Sequence, residues 1–267
     1  MRKTGTSSCL PIIAVAVLLL AGCAGGGKTK PADGELLTMS DQTTAQKRAA
    51  INLELAVGYY QRHENSVALD KIKLALAADP DFSQAYDMRA LIYMDMHENR
   101  LADENFQRAL RLAPANPEYN NNYGWFLCNN GRERESIAYF ETAIKDRNYA
   151  SPAVAMDNAG MCSLKLDNLV DAEKYFKRAF NFDPGNLKVN ENLAQLFYTR
   201  KEYDQAKFYI GRLIKANVTD ANVLWLGIKI AHKSGDRMTE GALGAELQRF
   251  HADSLQYASF QREAFDE

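Results

Sequence analysis

"NNYGWFLCNNGRERESIAYFETAI", residues 121–144, sets a glycine at 124, a serine at 136, a phenylalanine at 140 and an alanine at 143. All four have counterparts elsewhere in the chain. Ala68, Ala102, Ser136, Ala172 and Ala206 are separated by steps of 34, 34, 36 and 34. Ala56, Ala90, Gly124, Gly160 and Ala194 keep the same steps, as do Ala75, Ala109, Ala143, Ala179 and Leu213. The bulky series Ile72, Phe106, Phe140, Phe176 and Ile210 runs in parallel with them. Four series that share one irregular step imply a tandem repeat with a single two-residue insertion, inside "KDRNYASPAVAMD" (145–157).

A 34-residue period with small residues at helix crossings, a large apolar residue between them and Pro80, Pro114 and Pro184 at unit ends is the tetratricopeptide (TPR) pattern. Small side chains let two antiparallel helices approach closely, the bulky one fills the next gap, and proline cannot continue the second helix. The expected fold is therefore all-α, a TPR superhelix of about six helix-turn-helix repeats, near 49–82, 83–116, 117–152, 153–186, 187–220 and 221–250. The sixth is degenerate: it has Gly227, "HKSGD" as its turn, Leu243 and Leu247, and Glu240 where alanine is expected. Residues 251–267 keep Leu255, Tyr257, Phe260 and Phe265, which suits either a capping helix or a frayed tail.

The chain has 267 residues, is 46% hydrophobic and 25% charged, and carries a net charge of -2. That balance suits a packed domain and gives no positive field to hold nucleic acid. The amino-terminal stretch departs from it. Arg2 and Lys3 precede an apolar run from Pro11 to Leu20 that is too short to span a bilayer, which needs about 20 apolar residues. Residues 1–22 read as a signal peptide. Leu20-Ala21-Gly22-Cys23 resembles the bacterial lipobox, which implies cleavage before Cys23, acylation of that residue and a stable membrane anchor. Residues 23–44, rich in small and polar side chains, read as a lipidated flexible tether ahead of a TPR domain over 45–250.

No enzyme signature is present. His63, His97, His232 and His251 stand apart from one another and from the cysteines, so no metal site is expected, and no phosphate-binding or nucleophile motif occurs. No cofactor and no small-molecule substrate are expected. Asp103-Glu104 and Glu133-Glu135 fall at helix starts or exposed faces. What stands out is a ladder on the first helix of each unit, Leu53, Val57, Tyr60, Leu91, Met94, Trp125, Met161, Leu164, Tyr198 and Trp225. Such an aromatic and methionine-bearing surface suits an extended peptide or an amphipathic helix, unless some members pack between repeats instead. Asp87, Asp95, Asn121, Asn129, Asp157 and Gln195 lie beside it, placed to bond a partner backbone or to keep an empty groove wet. With Cys9 in the signal and Cys23 acylated, Cys128 and Cys162 remain, on the first helices of adjacent repeats. Helix axes about 8–10 Å apart bring such a pair within reach of a disulfide joining repeats three and four, the alternative being two buried thiols.

"NNYGWFLCNNGRERESIAYFETAI" together with "SPAVAMDNAGMCSLKLDNLVDAEKYFKRAFNFDPGN" (151–186) resembles the PilF/PilW type IV pilus biogenesis lipoproteins, from about Ala45 to the end of the sixth repeat. The resemblance implies a pilotin, an outer-membrane lipoprotein that assists localisation and multimerisation of the secretin through which pili emerge. Ala24 after the acylated cysteine agrees with outer-membrane sorting. Asn190 and Asp157 depart from the family pattern, as does the glycine-rich sixth repeat. The expected function is thus pilotin action through protein-protein binding on the periplasmic face of the outer membrane, with the secretin subunit as partner. The alternative is a periplasmic TPR lipoprotein that scaffolds a cell-wall enzyme.

Overall fold

Residues 42–266 are described in a computed structural model of the chain. The signal segment, Cys23 and nearly all of the tether lie outside the described residues. The domain opens at Thr43, whose side chain accepts from the backbone of Gln46 while the Gln46 side chain accepts from the backbone of Thr43, a reciprocal cap that starts α1 ahead of Ala49. Six helical hairpins follow. They are α1 (Thr44–Gln61) with α2 (Asn65–Ala78), α3 (Ser83–Asp95) with α4 (Asn99–Leu112), and α5 (Pro117–Asn129) with α6 (Glu133–Lys145). The second half holds α7 (Pro152–Lys165) with α8 (Leu169–Phe182), α9 (Leu187–Thr199) with α10 (Tyr203–Lys215), and α11 (Ala221–Lys233) with α12 (Arg237–His251). A short helix, α13 (Leu255–Gln261), completes an all-α TPR solenoid.

The four repeating series form the interior. Every member of the small-residue series is buried, and so are Ile72, Phe106, Phe140, Phe176 and Ile210. The reason for glycine at 124 and 160 is steric. A Cβ at Gly160 would sit 2.5 Å from the Phe176 ring, and one at Gly124 would sit 2.8 Å from Phe140. Where the facing residue is Ile72 or Ile210, the crossing carries Ala56 or Ala194 instead. Ala90 tolerates Phe106, whose ring is held in tilted contact with Tyr123 and Phe126.

A fifth series emerges only from the backbone. His63, His97, Gly131, Asp167, Lys201 and Gly235 occupy the turn within each hairpin, and all have positive φ, between 56° and 77°. The next residue's N–H closes each turn on a carbonyl five positions earlier, as in Glu64 to Tyr59 and Glu202 to Phe197. This is the Schellman closure of a helix end, which favours glycine because an L side chain is strained there. Two of the four histidines are therefore turn residues. Lys201→Gly is expected to stabilise the chain by about 0.5–1 kcal/mol, read as a higher midpoint in thermal unfolding with an unchanged helical spectrum.

The insertion in the third unit lengthens the link between α6 and α7 to residues 146–151 and brings Tyr149 into the core, 7% exposed, against Ala143 and Ala155. Asn190 is buried and donates from its side chain to the carbonyls of Pro184 and Asn186. Asn120 does the same to Pro114 and Asn116. Both fasten an interhelical loop to the helix that follows it.

For residues 251–266 the structure decides between a cap and a tail. Gly244 of α12 sits against Phe260 of α13, with a would-be Cβ only 2.4 Å from the ring, so α13 packs on α12 as Phe176 packs on α7. Phe265 is 6% exposed. The segment is a cap.

Candidate peptide-binding groove

The stack curves toward its first helices. α1 touches α3, α3 touches α5, α5 touches α7 and α9 touches α11, while among the described residues the second helices have no comparable contact with one another. Helices crowded on one side and splayed on the other make the crowded side concave. Leu53, Val57, Tyr60, Leu91, Met94, Trp125, Met161, Leu164, Tyr198 and Trp225 all lie on these inner helices and are all half-buried. Their inward edges pack on the core clusters below, and the remainder of each faces outward. At the carboxyl-terminal end, the Lys229 ammonium lies over both the Tyr198 ring, at 5.2 Å, and the Trp225 ring, at 5.6 Å. These two aromatics therefore share one surface. Burial lowers the pKa of that lysine.

The polar residues beside the ladder have a different role from the one expected. Asn122 donates to Asp87 at 2.9 Å, Asn158 to Asn121 at 3.0 Å and Asn192 to Asp157 at 2.8 Å. Each rung links consecutive inner helices, so these groups stitch the floor of the groove and are not free for a partner backbone. Asn65 donates to Asp95, Lys165 to Asn129, and Gln195 bonds within its own helix to Thr199. The rungs repeat at the spacing of the repeat itself, a signal present in the sequence but masked there by the mixture of Asp and Asn.

Burial raises the pKa of Asp87 from its ordinary 3.8 to about 7, the Asn122 bond opposing the shift and Glu118 adding to it. Asp157 is raised for the same first reason. In the pH range between the unfolded and folded values the folded chain holds a proton that the unfolded chain has lost. The contribution of Asp87 is thus full below about pH 4 and is lost as pH rises through about 7. Asp87→Asn, which reproduces the native Asn121–Asn158 rung, is expected to raise the melting temperature at pH 8 and leave it little changed at pH 4. Equal shifts at both pH values would refute the assignment.

Cys128 of α5 and Cys162 of α7 form a disulfide with Cα atoms 5.8 Å apart, buried at the junction that carries the insertion. Lys165 donates to the carbonyl of Cys128 and to Asn129 across the same seam.

Elsewhere the ionisable groups serve the scaffold. Glu240, standing where the repeat pattern calls for alanine, accepts from His232 Nδ1 and from the Arg237 guanidinium, which satisfies its carboxylate. His251 donates to the carbonyl of Thr219, and Asp103 accepts from Tyr123 and Arg132. Glu133 and Glu135 lie in the first turn of α6. Among the described residues no cluster of metal-ligating side chains occurs, and no helix is long and apolar enough to cross a membrane.

Tetratricopeptide-repeat family models match residues 83–116, 105–138 and 163–225. The type IV pilus assembly protein PilF of Pseudomonas aeruginosa is 30% identical over 244 residues, covering 91% of this chain and 94% of the relative. The crystal structure of PilW, a widely conserved type IV pilus biogenesis factor, is similar with a TM-score of 0.74 and 33% identity, over 80% of this chain and 98% of that one. The structure of Pseudomonas aeruginosa PilF gives a TM-score of 0.75 at 29% identity, over 83% and 100%.

Proposed function

Since the chain belongs to the PilF/PilW family of TPR proteins of type IV pilus biogenesis, we propose that it is a pilotin, a non-catalytic factor that captures a segment of the pilus secretin and promotes its multimerisation. The observation that carries this reading is the ladder of half-buried apolar side chains on the mutually contacting inner helices. A groove of this kind offers apolar anchors at helical intervals, which is how an amphipathic or extended segment is held. Family membership points to the pilus machine as the source of that segment.

Anchoring belongs to the same proposal. Acylated Cys23 confines the groove to the periplasmic face of the outer membrane, and residues 24–42 give it reach. Confinement with the secretin raises the effective concentration of the two, so modest intrinsic affinity suffices.

Trp125→Glu combined with Leu91→Glu places charge on half-buried groove positions of two adjacent repeats. Secretin multimers on denaturing gels and surface pili are expected to fall severely while the helical spectrum of the purified chain is retained. Normal multimers and pili from that variant would overturn the groove assignment. Cys23→Ser is expected to move the chain from the membrane to the soluble fraction and to reduce multimers in step. Capture of murein synthases by the tagged mature chain without secretin would favour the cell-wall scaffold instead.

A further inference from the structure

The carboxyl-terminal end of the groove is already occupied. After α13 the chain turns at Glu263, which has a φ of 54°, and lays Phe265 across the inner face of α11. The Phe265 ring stacks on His232 at 3.8 Å and on Trp225 at 5.8 Å, with Phe260 at its edge. The Tyr198 hydroxyl, one repeat upstream, donates to the Phe265 carbonyl at 3.2 Å. Lys233 pairs with the Asp266 carboxylate. Two members of the groove ladder, Tyr198 and Trp225, are thus engaged by the chain's own residues.

Phe265 shares in the capping core with Leu224, Ile228, Leu243 and Leu247, but α13 has other fastenings. Phe260 against Gly244 and the Gln256–Asn222 bond already fasten α13. What Phe265 and Asp266 add is a set of interactions typical of peptide recognition: an aromatic slot, a hydroxyl donor for a backbone carbonyl, and an ammonium for the following carboxylate. We propose that the cleft between α9 and α11 is a peptide subsite for an aromatic residue followed by an acidic one, and that Phe265-Asp266 fills it as a tethered placeholder which a partner segment displaces. A tethered segment acts at millimolar effective concentration, so the placeholder excludes weak ligands and yields to one that also engages the rest of the groove. The inference rests on the groove reading above but not on the identity of the captured protein.

The test uses the full mature chain and a fluorescently labelled peptide, QREAFD, copied from residues 261–266. Phe265→Ala vacates the aromatic slot, and Asp266→Lys opposes Lys233 from an exposed side chain without touching the core. Both variants are expected to bind the probe at least about tenfold more tightly than the unaltered chain in anisotropy titrations. Replacing the peptide phenylalanine with alanine is expected to abolish binding. Adding Lys233→Glu to Phe265→Ala should reverse the preference, so that QREAFK binds better than QREAFD. Equal affinity across all chains, absence of binding to both variants, or indifference to the peptide phenylalanine would each overturn the proposal. If that happens while the Trp125 and Leu91 variant still loses secretin multimers, the subsite alone falls. Displacement of the placeholder with normal multimers in that variant would remove the pilotin reading and leave the subsite.

Discussion

Phe176→Ala is expected to lose about 3–5 kcal/mol, the cost of a fully buried aromatic whose site cannot collapse. The ring lies over Gly160, where there is no side chain to move in, and between Ala172 and Ala179 on its own helix. The opposite error is instructive. Gly160→Ala gains about 1 kcal/mol of helix propensity but drives its Cβ to 2.5 Å from Phe176, and overpacking of that kind costs about 1–3 kcal/mol or more. Both defects have one remedy, because the chain itself uses alanine opposite isoleucine at Ala56/Ile72 and Ala194/Ile210. The double variant Gly160→Ala/Phe176→Ile is therefore expected to recover most of the stability lost by either Gly160→Ala or Phe176→Ala alone. Urea unfolding followed by circular dichroism measures all three. A Phe176→Ala loss below about 1 kcal/mol, or a double variant no better than Phe176→Ala, would show that the glycine and the ring are not a matched pair.

Reduction of the Cys128–Cys162 disulfide is the second large effect. The bond closes a loop with a sequence separation of 34, for which the chain-entropy account gives about 3–4 kcal/mol. In a solenoid stability is a sum of repeat and nearest-neighbour terms, so the loss falls on the interface of repeats three and four and is not shared along the stack. That interface also holds the longer link with Tyr149. A single melting transition is expected to shift down on reduction and to broaden toward two, as each half unfolds on its own account. Mass spectrometry should find two more alkylatable thiols in the denatured chain only after reductant. The Cys128→Ala/Cys162→Ala variant should melt like the reduced chain and ignore reductant. A melt indifferent to reductant in the unaltered chain would show that the bond adds nothing.

Both experiments bear on function through geometry. A groove spread over several repeats holds a ligand only if neighbouring repeats keep their mutual angle, and the floor rungs and the disulfide fix that angle between inner helices. Loosening repeats three and four would separate Trp125 from Met161 and Leu164 without unfolding either hairpin. Loss of partner capture in the reduced chain would then precede loss of helix.

The repeat, its hairpins and the face that becomes concave were legible from residue spacing, because a 34-residue unit imposes the same local contacts at every turn of the solenoid. Ala56, Gly124 and Phe176 announce their roles by size alone, since helix crossings admit only small residues and the gaps between them only large ones. The turn histidines, the Asp–Asn rungs and the Phe265 placeholder were not legible. His63 and His97 carry a backbone strain that their side chains do not advertise. Asp87 and Asn122 lie 35 residues apart and pair only once two hairpins have stacked. Phe265 meets Tyr198 across 67 residues, a contact outside the repeat's own period. Local rules recur and can be read from a chain one unit at a time, whereas contacts between units depend on the curvature that many such units sum to, which the tertiary structure decided.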